Sequence, residues 1–515
     1  MSTLTLQRNF GLTGDLFIIV GSGGGGTPPA TEGWTDITPS ADSRVIYCSN
    51  SGGLDTNDGL TELTPKKTLS AASSLYRHGF PDHCLLKSGD EWPLEQIIVK
   101  GGRSDDERAV LSSYGAGDRP AIDDIRWTLG GGAQPRSFFN YIGIEFKSYK
   151  MIPGGPYYDP LKESDSKSVN DNSQNVLFED CKWNYCQLNY SDGVANMAIR
   201  RCIFHGAYYN QSSYSSSKRP SSFHSGGFTG YLTIEDSIMD HGGWNSEIEG
   251  AAANIYNHNI YMSYTATANS ILVRNNIFTR GSSHGTQMRL GGTVDNNFYS
   301  ENANSFLFGS SQGGPYPVLP IGINNVIQDG ISNNKGFPFS TSGNQSLGSV
   351  DLVIMDYTTQ FRFEQNLVSM FDPSRNPINP QGREIVPVGI KWGYYTLQDS
   401  INWGKDDGID PELTDQEANT DLSTNIYYHW TSQTEGDQLG LPDPTRNLTR
   451  YINEVLIPAG KMTGNEVGLQ GDTPLAKFMA VACNRGRLEW DEAFTANAIN
   501  NWIRSGANLA GNATV

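Results

Sequence analysis

Two short stretches of this chain carry side chains of the kinds that move protons beside a carboxylate. NHNIYMS (257–263) supplies His258, Asn259 and Tyr261, and SSHGTQMRLGG (282–292) supplies His284, Gln287 and Arg289. A guanidinium fork matches a carboxylate. Histidine can take a proton near neutral pH, and a tyrosine hydroxyl can act as base or acid. The set suits an elimination in which Arg289 neutralises a carboxylate, His258 or His284 removes the adjacent acidic proton, and Tyr261 assists as base or acid. Upstream, DHGGWN (240–245) adds Asp240, His241 and Trp244 as binding groups beside Asn259 and Gln287. A hydrolysis would instead need two carboxylates. Asp240, Glu247 and Glu249 are the candidates, with Asp236 and Asp295 behind them. Five of the eight histidines (His205, His224, His241, His258 and His284) fall between 205 and 284, a crowding that favours a site over surface filling.

Each of these residues also has a plain structural use. An outward tyrosine is a good strand former, and Arg289 could be a ladder charge paired with an acid. His258 and His284 could be satisfied edge histidines. Asp240 and His241 could shape a glycine-rich turn, and Trp244 could anchor a loop. Asp55, Asn57 and Asp58 offer oxygen ligands for calcium, although a turn satisfying itself through Asx bonds accounts for them equally. No other metal or cofactor is expected.

What must position these residues is a repeat. FEDCKW (178–183), IRRCIF (199–204), IEDSIM (234–239), VRNNIF (273–278), VDNNFY (294–299) and FEQNLV (363–368) share one template, with GINNVI (322–327) fitting more loosely. Two of the intervals are 21 residues (178 to 199, 273 to 294). A period near 21 with short strands is the mark of a parallel β-solenoid, in which stacked coils bury a common apolar row. Asn recurs at turn positions because its side chain bonds backbone and tolerates left-handed dihedrals. Cys181 and Cys202, 21 apart, should be stacked neighbours, as thiols rather than a disulfide.

Carried to the next column, the repeat pairs Asn259 with Gln287 and Tyr261 with Arg289, each 28 residues apart. With Ile260 and Met262 inward, Asn259 and Tyr261 point outward in step with Gln287 and Arg289. His258 and His284 then fall on the inward side, unless a bulge at Gly285 reorients His284.

Composition narrows the class. Across 515 residues the formal charge is −18, which argues against a nucleic-acid partner and against adsorption to anionic membranes. Gly 57, Tyr 24 and only 18% charged residues favour short strands and tight turns. Leu16–Val20 is too short an apolar run for a secretory signal, and nothing later approaches a membrane span. The six cysteines (Cys48, Cys84, Cys181, Cys186, Cys202, Cys483) form no CxxC pair and read as reduced. The expected organisation is an N-terminal segment (1–20), a Gly/Pro linker (21–42) and a β-solenoid body (43–335). An irregular β region that could hold further coils (336–441) and a helical C-terminal region (442–515) follow. Leu475, Phe478, Met479 and Ala482 mark one amphipathic helix, and Trp490, Ile499, Trp502 and Ile503 another.

VIYCSNSGGLDTNDGLTELTPKKTLSAASSL (45–75) resembles the opening segment of right-handed parallel β-helix proteins that act on polysaccharides. LLKSGDEWPLEQIIV (85–99), LSSYGAGDRPAI (111–122) and FNYIGIEF (139–146) resemble its next coils. That group includes pectate-lyase-like enzymes, alginate and chondroitin lyases, and bacteriophage tail spikes. The tail spikes are the nearest in organisation. The resemblance implies an all-β, single-stranded parallel β-helix that cleaves a bacterial surface polysaccharide. It implies a homotrimer on the virion, attached to a tail or baseplate protein through the N-terminal segment; the short apolar run at Leu16–Val20 carries the expectation of synthesis in the cytoplasm without a secretory signal. β-Elimination of a uronic-acid chain such as alginate is the leading expectation. Paired-carboxylate hydrolysis is the second, and a glycan-binding or purely structural solenoid the third. Lyases of the group typically use Lys or Arg as base, and this chain has no Lys in 219–334.

Overall fold

The structure, a computed structural model, describes residues 33–509 with breaks, the longer ones at 127–135, 211–219, 310–317, 329–347, 354–360, 370–387, 406–425 and 431–441. Between 348 and 430 it describes mainly strand backbone and register. Among the described residues the strands form three parallel sheets. Sheet A has twelve strands, from Val45–Cys48 to Tyr395–Gln398. Sheet B has twelve, from Glu91–Ile98 to Ile426–Trp430, and sheet C has eight, from Ser166–Val169 to Val388–Lys391. The chain visits the sheets in turn. Gln174–Glu179 lies in A, Lys182–Asn184 in B and Gln187–Ser191 in C, and Ala195–Arg200 then returns to A one level on. This is a right-handed parallel β-helix with a small helical C-terminal region. The strands Gly348–Val353 to Ile426–Trp430 continue the same three sheets.

The hexapeptide template spans the corner from sheet A to sheet B. Phe178 pairs with Ile199 and Val273 with Val294, giving the 21-residue register read from the sequence. The third template residue turns the corner in the left-handed region: Asp180, Arg201, Asp236, Asn275, Asn296, Asn324 and Gln365 all have φ between 50° and 58°. The fourth residue points inward. Asn276, Asn297, Asn325 and Asn366 form a buried column there. Asn297 accepts the Asn276 backbone N–H through Oδ1 (2.9 Å) and donates through Nδ2 to the Val273 carbonyl (2.9 Å). Each asparagine thus reaches back one coil and satisfies backbone groups that the interrupted ladder leaves unpaired. Cys181 and Cys202 occupy the same column as free buried thiols. Burial pushes the Cys202 thiol well above its usual range.

Core side chains stack from coil to coil, as with Tyr141 on Phe178 (4.6 Å) and Trp183 on Phe204 (4.3 Å). The C-terminal region covers the outer face of sheet B. Its helices Pro474–Cys483 and Ala496–Gly506 begin at capping residues Thr473 and Thr495 and bury Leu475, Phe478, Met479, Ile499 and Ile503. Those side chains pack on the column Ile203, Ile238, Ile277, Phe298, Val326 and Leu367. Each fully buried aliphatic or Phe side chain there contributes about 1.5–3 kcal/mol. Trp490 lies outside the second helix and carries the Arg485 guanidinium 3.5 Å above its ring. Among the described residues no helix is long and apolar enough to cross a membrane.

Candidate functional site

The three outer faces differ in what they leave available. Face B lies under the C-terminal helices. Face A carries a ladder of alternating charge in register, Glu179–Arg200–Glu235–Arg274–Asp295, largely neutralised within itself. Residues 33–35 cross this face: the Thr35 N–H bonds to Glu179 (2.9 Å) and Trp34 stacks on Arg201. Face C carries an outward row of a different kind, Asn189–His224–Tyr261–Gln287, in direct register across four strands. The connections from sheet B to sheet C that precede its His224 and Tyr261 strands are long (206–222 and 241–257).

Register and parity here differ from the sequence expectation. His258 pairs with His284, Ile260 with Thr286, and Tyr261 with Gln287, an offset of 26 rather than 28 (284 − 258). Tyr261 therefore lies beside Gln287, and Arg289 lies two residues further along the same strand direction. Contact survives the shift because Arg289 is long: its guanidinium carbon is 5.5 Å from the Tyr261 ring centroid. Parity breaks at the strand start. Asn259 turns inward, donating to the Thr279 carbonyl (3.0 Å) and accepting the Gly242 N–H (2.9 Å). Ile260 is also inward, so two successive residues share one side and His258 emerges on the Tyr261 side. Opposite it stands Gly285, where a Cβ would meet the Ser305 carbonyl at 2.5 Å and Tyr299 at 2.8 Å. His284 emerges with His258. Asn259 is a corner residue, and both histidines belong to the site.

The resulting group is an aromatic stack. The Tyr261 ring lies nearly parallel to His224 (5.3 Å, 10°) and to His258 (5.2 Å, 17°). His224 Nδ1 donates to Asn189 Oδ1 (2.7 Å), which leaves the lone pair on Nε2. His258 and His284 meet Nδ1 to Nδ1 at 3.0 Å, so one nitrogen donates and the other accepts. Ser283 Oγ also lies 2.7 Å from His284 Nδ1. Burial, with Arg289 second, pushes the His284 pKa down to about 3, so it is neutral at pH 7. A neutral His284 accepting from His258 places the His258 lone pair on Nε2, where it can take a proton. Tyr261 is 7% exposed and His258 2%, whereas His224, His284 and Arg289 are half-buried at the rim. Gln287 is also buried, and its Oε1 has no hydrogen-bond partner among the described residues.

Asp240, His241 and Trp244 do not join this group. Asp240 is fully buried on the outer side of sheet B, beneath the C-terminal region. Its Oδ1 accepts from Thr279 Oγ1 (2.8 Å) and Arg280 Nε (2.8 Å), and its Oδ2 from Arg280 Nη2 (2.6 Å), His241 Nδ1 (3.0 Å) and His205 Nδ1 (3.2 Å). Although burial alone would raise the Asp240 pKa, the Arg280 guanidinium and both imidazoles hold it well below the usual carboxylate range. It can neither donate a proton nor contact a ligand. Burial takes the His241 pKa down to about 4. His205, Asp240 and His241 have the donor types of a metal site, but the bidentate arginine occupies the carboxylate and opposes a cation. Trp244 donates Nε1 to the Arg280 carbonyl (2.5 Å) and anchors its loop.

Of the other carboxylates, Glu247 is exposed and Glu249 lies outside the described residues. Asp295 belongs to face A, and Asp236, raised to about 6 by burial, turns the A–B corner. Asp55 accepts from Lys67 N, Thr68 N and Thr68 Oγ1, Asp58 from Leu60 N and Thr64 Oγ1, and Asn57 donates to the Pro65 carbonyl. Those oxygens hold the turn and the start of helix Leu69–Ser73.

Sequence reasoning counted His224 only among the clustered histidines and passed over Asn189; the strand register adds both to the site. It also passed over Arg280, the partner that decides what Asp240 does.

No family model matches the chain, and no curated protein does. Solved structures resemble it in the course of the backbone. A lacto-N-biosidase of Eubacterium ramulus is 11% identical over 75% of this chain and 68% of its own, with a TM-score of 0.37. A pectate lyase, Pel9A, is 14% identical over 76% and 80%, at 0.36. PfbA, a surface adhesin of Streptococcus pneumoniae, is 11% identical over 74% and 90%, at 0.41.

Proposed function

We propose that face C binds an acidic polysaccharide and cleaves it by β-elimination. One observation carries the reading: Arg289, Tyr261 and the His258–His284 pair converge on one outward row. In this mechanism Arg289 pairs with the uronate carboxylate and lowers the cost of charge developing there as C5 loses its proton. His258 Nε2 takes the C5 proton. The C4–O bond breaks as the C4–C5 double bond forms, and the Tyr261 hydroxyl protonates the leaving oxygen. The hydrolytic alternative loses its best carboxylate, since Asp240 is buried and committed to Arg280. The sequence resemblance supports a bacterial capsule, exopolysaccharide or O-antigen as the polymer and a trimeric spike as the molecular context.

Purified protein should release unsaturated, ultraviolet-absorbing ends from a uronic-acid polymer. Arg289→Ala should lower that rate at least 100-fold with the fold intact. New reducing ends without the absorbance would replace elimination by hydrolysis, and near-normal turnover by the variant would remove Arg289 from the mechanism. A second reading, gripping a glycan without cleaving it, is favoured by the burial of Tyr261 and His258. Retained binding with neither product would select it.

A further inference from the structure

The inward columns of sheet C hold small polar residues at Ser225 and Thr286, and one charged residue, Lys167, on the first described strand. Leu188, Phe223 and Ile260 succeed one another in register as core side chains, and the residue preceding Leu188 in that column is Lys167. Lys167 is 2% exposed. Its Nζ meets Asp165 at 2.8 Å and, across the corner, Asp123 of sheet B at 3.3 Å. Burying an ammonium in place of a leucine is costly unless it is paired, and here it has two carboxylates.

A cavity of about 250 Å³ opens beside this group, lined by Asp123, Ser148, Lys150, Lys162, Asp165 and Lys167. The backbone is distorted beside it. Opposite the single Asp123, strand Glu91–Ile98 bulges over three residues, Pro93, Leu94 and Glu95. Leu94 has φ 61° and is 47% exposed, an uncommon state for a leucine. The bulge turns the Leu94 N–H onto the Asp123 carboxylate. The bulge places Leu94 and Gln96 in the cavity wall. The environments of the two carboxylates diverge: burial raises the Asp123 pKa, while at Asp165 burial is outweighed by Lys167, Ser148 and Lys162 together and the pKa is lowered.

We infer that this cavity is a second binding site, taking one anionic sugar unit with its carboxylate toward the rim lysines Lys150 and Lys162 and its hydroxyls toward Asp123, Asp165 and Ser148. Its volume is a little below the ~300 Å³ at which drug-sized ligand pockets begin, which suits a single monosaccharide. Strand Ser166–Val169 is three strand steps from strand His258–Met262 on the same sheet, or about 14 Å at the strand spacing. The cavity lies at the B–C corner below the first described strand of sheet C, so a chain that runs along face C and turns over that edge would set a distal unit in it and fix its register. The register role rests on the polysaccharide reading; the binding of the anion does not.

The test titrates the full chain with D-glucuronate and, as the neutral control, D-glucose, by calorimetry at low salt. Glucuronate should bind, glucose should bind at least tenfold more weakly, and Lys150→Ala/Lys162→Ala should weaken glucuronate at least tenfold. The same tenfold lysine effect should persist in an Arg289→Ala background, where uronate binding at face C is removed, which separates the two sites. Equal affinity for both sugars, or glucuronate binding indifferent to the lysine pair, would overturn the proposal. Lysine-dependent binding by a protein that cleaves no polymer would uphold the site while the elimination reading fell.

Discussion

Replacing Asp240 with alanine separates a structural acid from a catalytic one. The carboxylate is fully buried and accepts five hydrogen bonds, two from Arg280. Removing it leaves a guanidinium that is 6% exposed without its counter-charge. Breaking a buried pair from one side costs about 3–5 kcal/mol. The loss should be felt at a distance in sequence, because Arg280 Nη1 also holds the Leu469 carbonyl (2.8 Å) and His205 contacts Gln470 (3.4 Å). Urea unfolding followed by tryptophan fluorescence should show a markedly lower midpoint, and limited proteolysis should cut the C-terminal region earlier than in the wild type. Asp240→Ala/Arg280→Met should be more stable than Asp240→Ala alone, since the uncompensated charge leaves with its partner. Cleavage per folded molecule, assayed well below the transition, should be nearly unchanged. A variant of wild-type stability that has lost turnover would refute this reasoning and restore Asp240 to the reaction.

Asn297→Ala should cost about 3 kcal/mol, because it strands the buried Asn276 N–H and Val273 carbonyl. Asn297→Ser should cost less, since Ser237 already bonds the Cys202 N–H from the same column; equal losses in urea midpoints would count against the column's role. The stability profile should fall on the acid side. His241 and His284 have folded pKa values of about 4 and about 3, below the unfolded 6.5, so below pH 6.5 the unfolded chain binds more protons than the folded one. The stabilisation present at pH 7 is lost as pH falls toward those values. At 1.36 kcal/mol per pH unit this amounts to about 3 kcal/mol for His241 and up to about 5 kcal/mol for His284. A urea midpoint flat between pH 7 and pH 4.5 would contradict the burial of both rings.

The coil was legible because its chemistry is local. A hexapeptide that turns a corner must supply a left-handed residue and then an inward side chain that satisfies the corner, and both choices are written at adjacent positions. Asn275–Asn276 and Asn296–Asn297 do so with the same residue type twice. The register of face C was not legible from that template. Met262 and Met288 are paired, as are Val273 and Val294, yet the first pair of residues is separated from the second by 11 positions in one coil and 6 in the next. Connections of unequal length between C and A erase the constant period. Parity failed for a related reason: Asn259 and Ile260 both turn inward where the strand leaves its corner, which alternation cannot foresee. Asp240 was misread because its decisive partner lies 40 residues away and its cover comes from the C-terminal region.

These errors point to where chemistry can reside in a stacked fold. Columns that repeat one residue type, such as the corner asparagines or the isoleucines beneath the C-terminal helices, are accounted for by stacking alone. A residue that departs from its column has to be explained by something other than the stack. Arg280 turns its corner in the left-handed region as its neighbours His241 and Glu301 do, and its departure in charge is explained by Asp240. Thr286, in the apolar column of Ile260, meets the Tyr299 hydroxyl at 3.1 Å and is explained within the core. The outward row of face C passes from Asn189 through His224 and Tyr261 to Gln287, four different side chains in one row rather than one type repeated. Lys167, the one charged residue described in that column, pairs with Asp165 beside it and with Asp123, which another coil brings opposite a strained bulge. Both unexplained departures belong to sheet C, one at its first strand and one at its middle, and face B is already covered. The row faces outward and Lys167 inward at the sheet's first described strand, so a polymer that meets both must run along face C and turn over that edge.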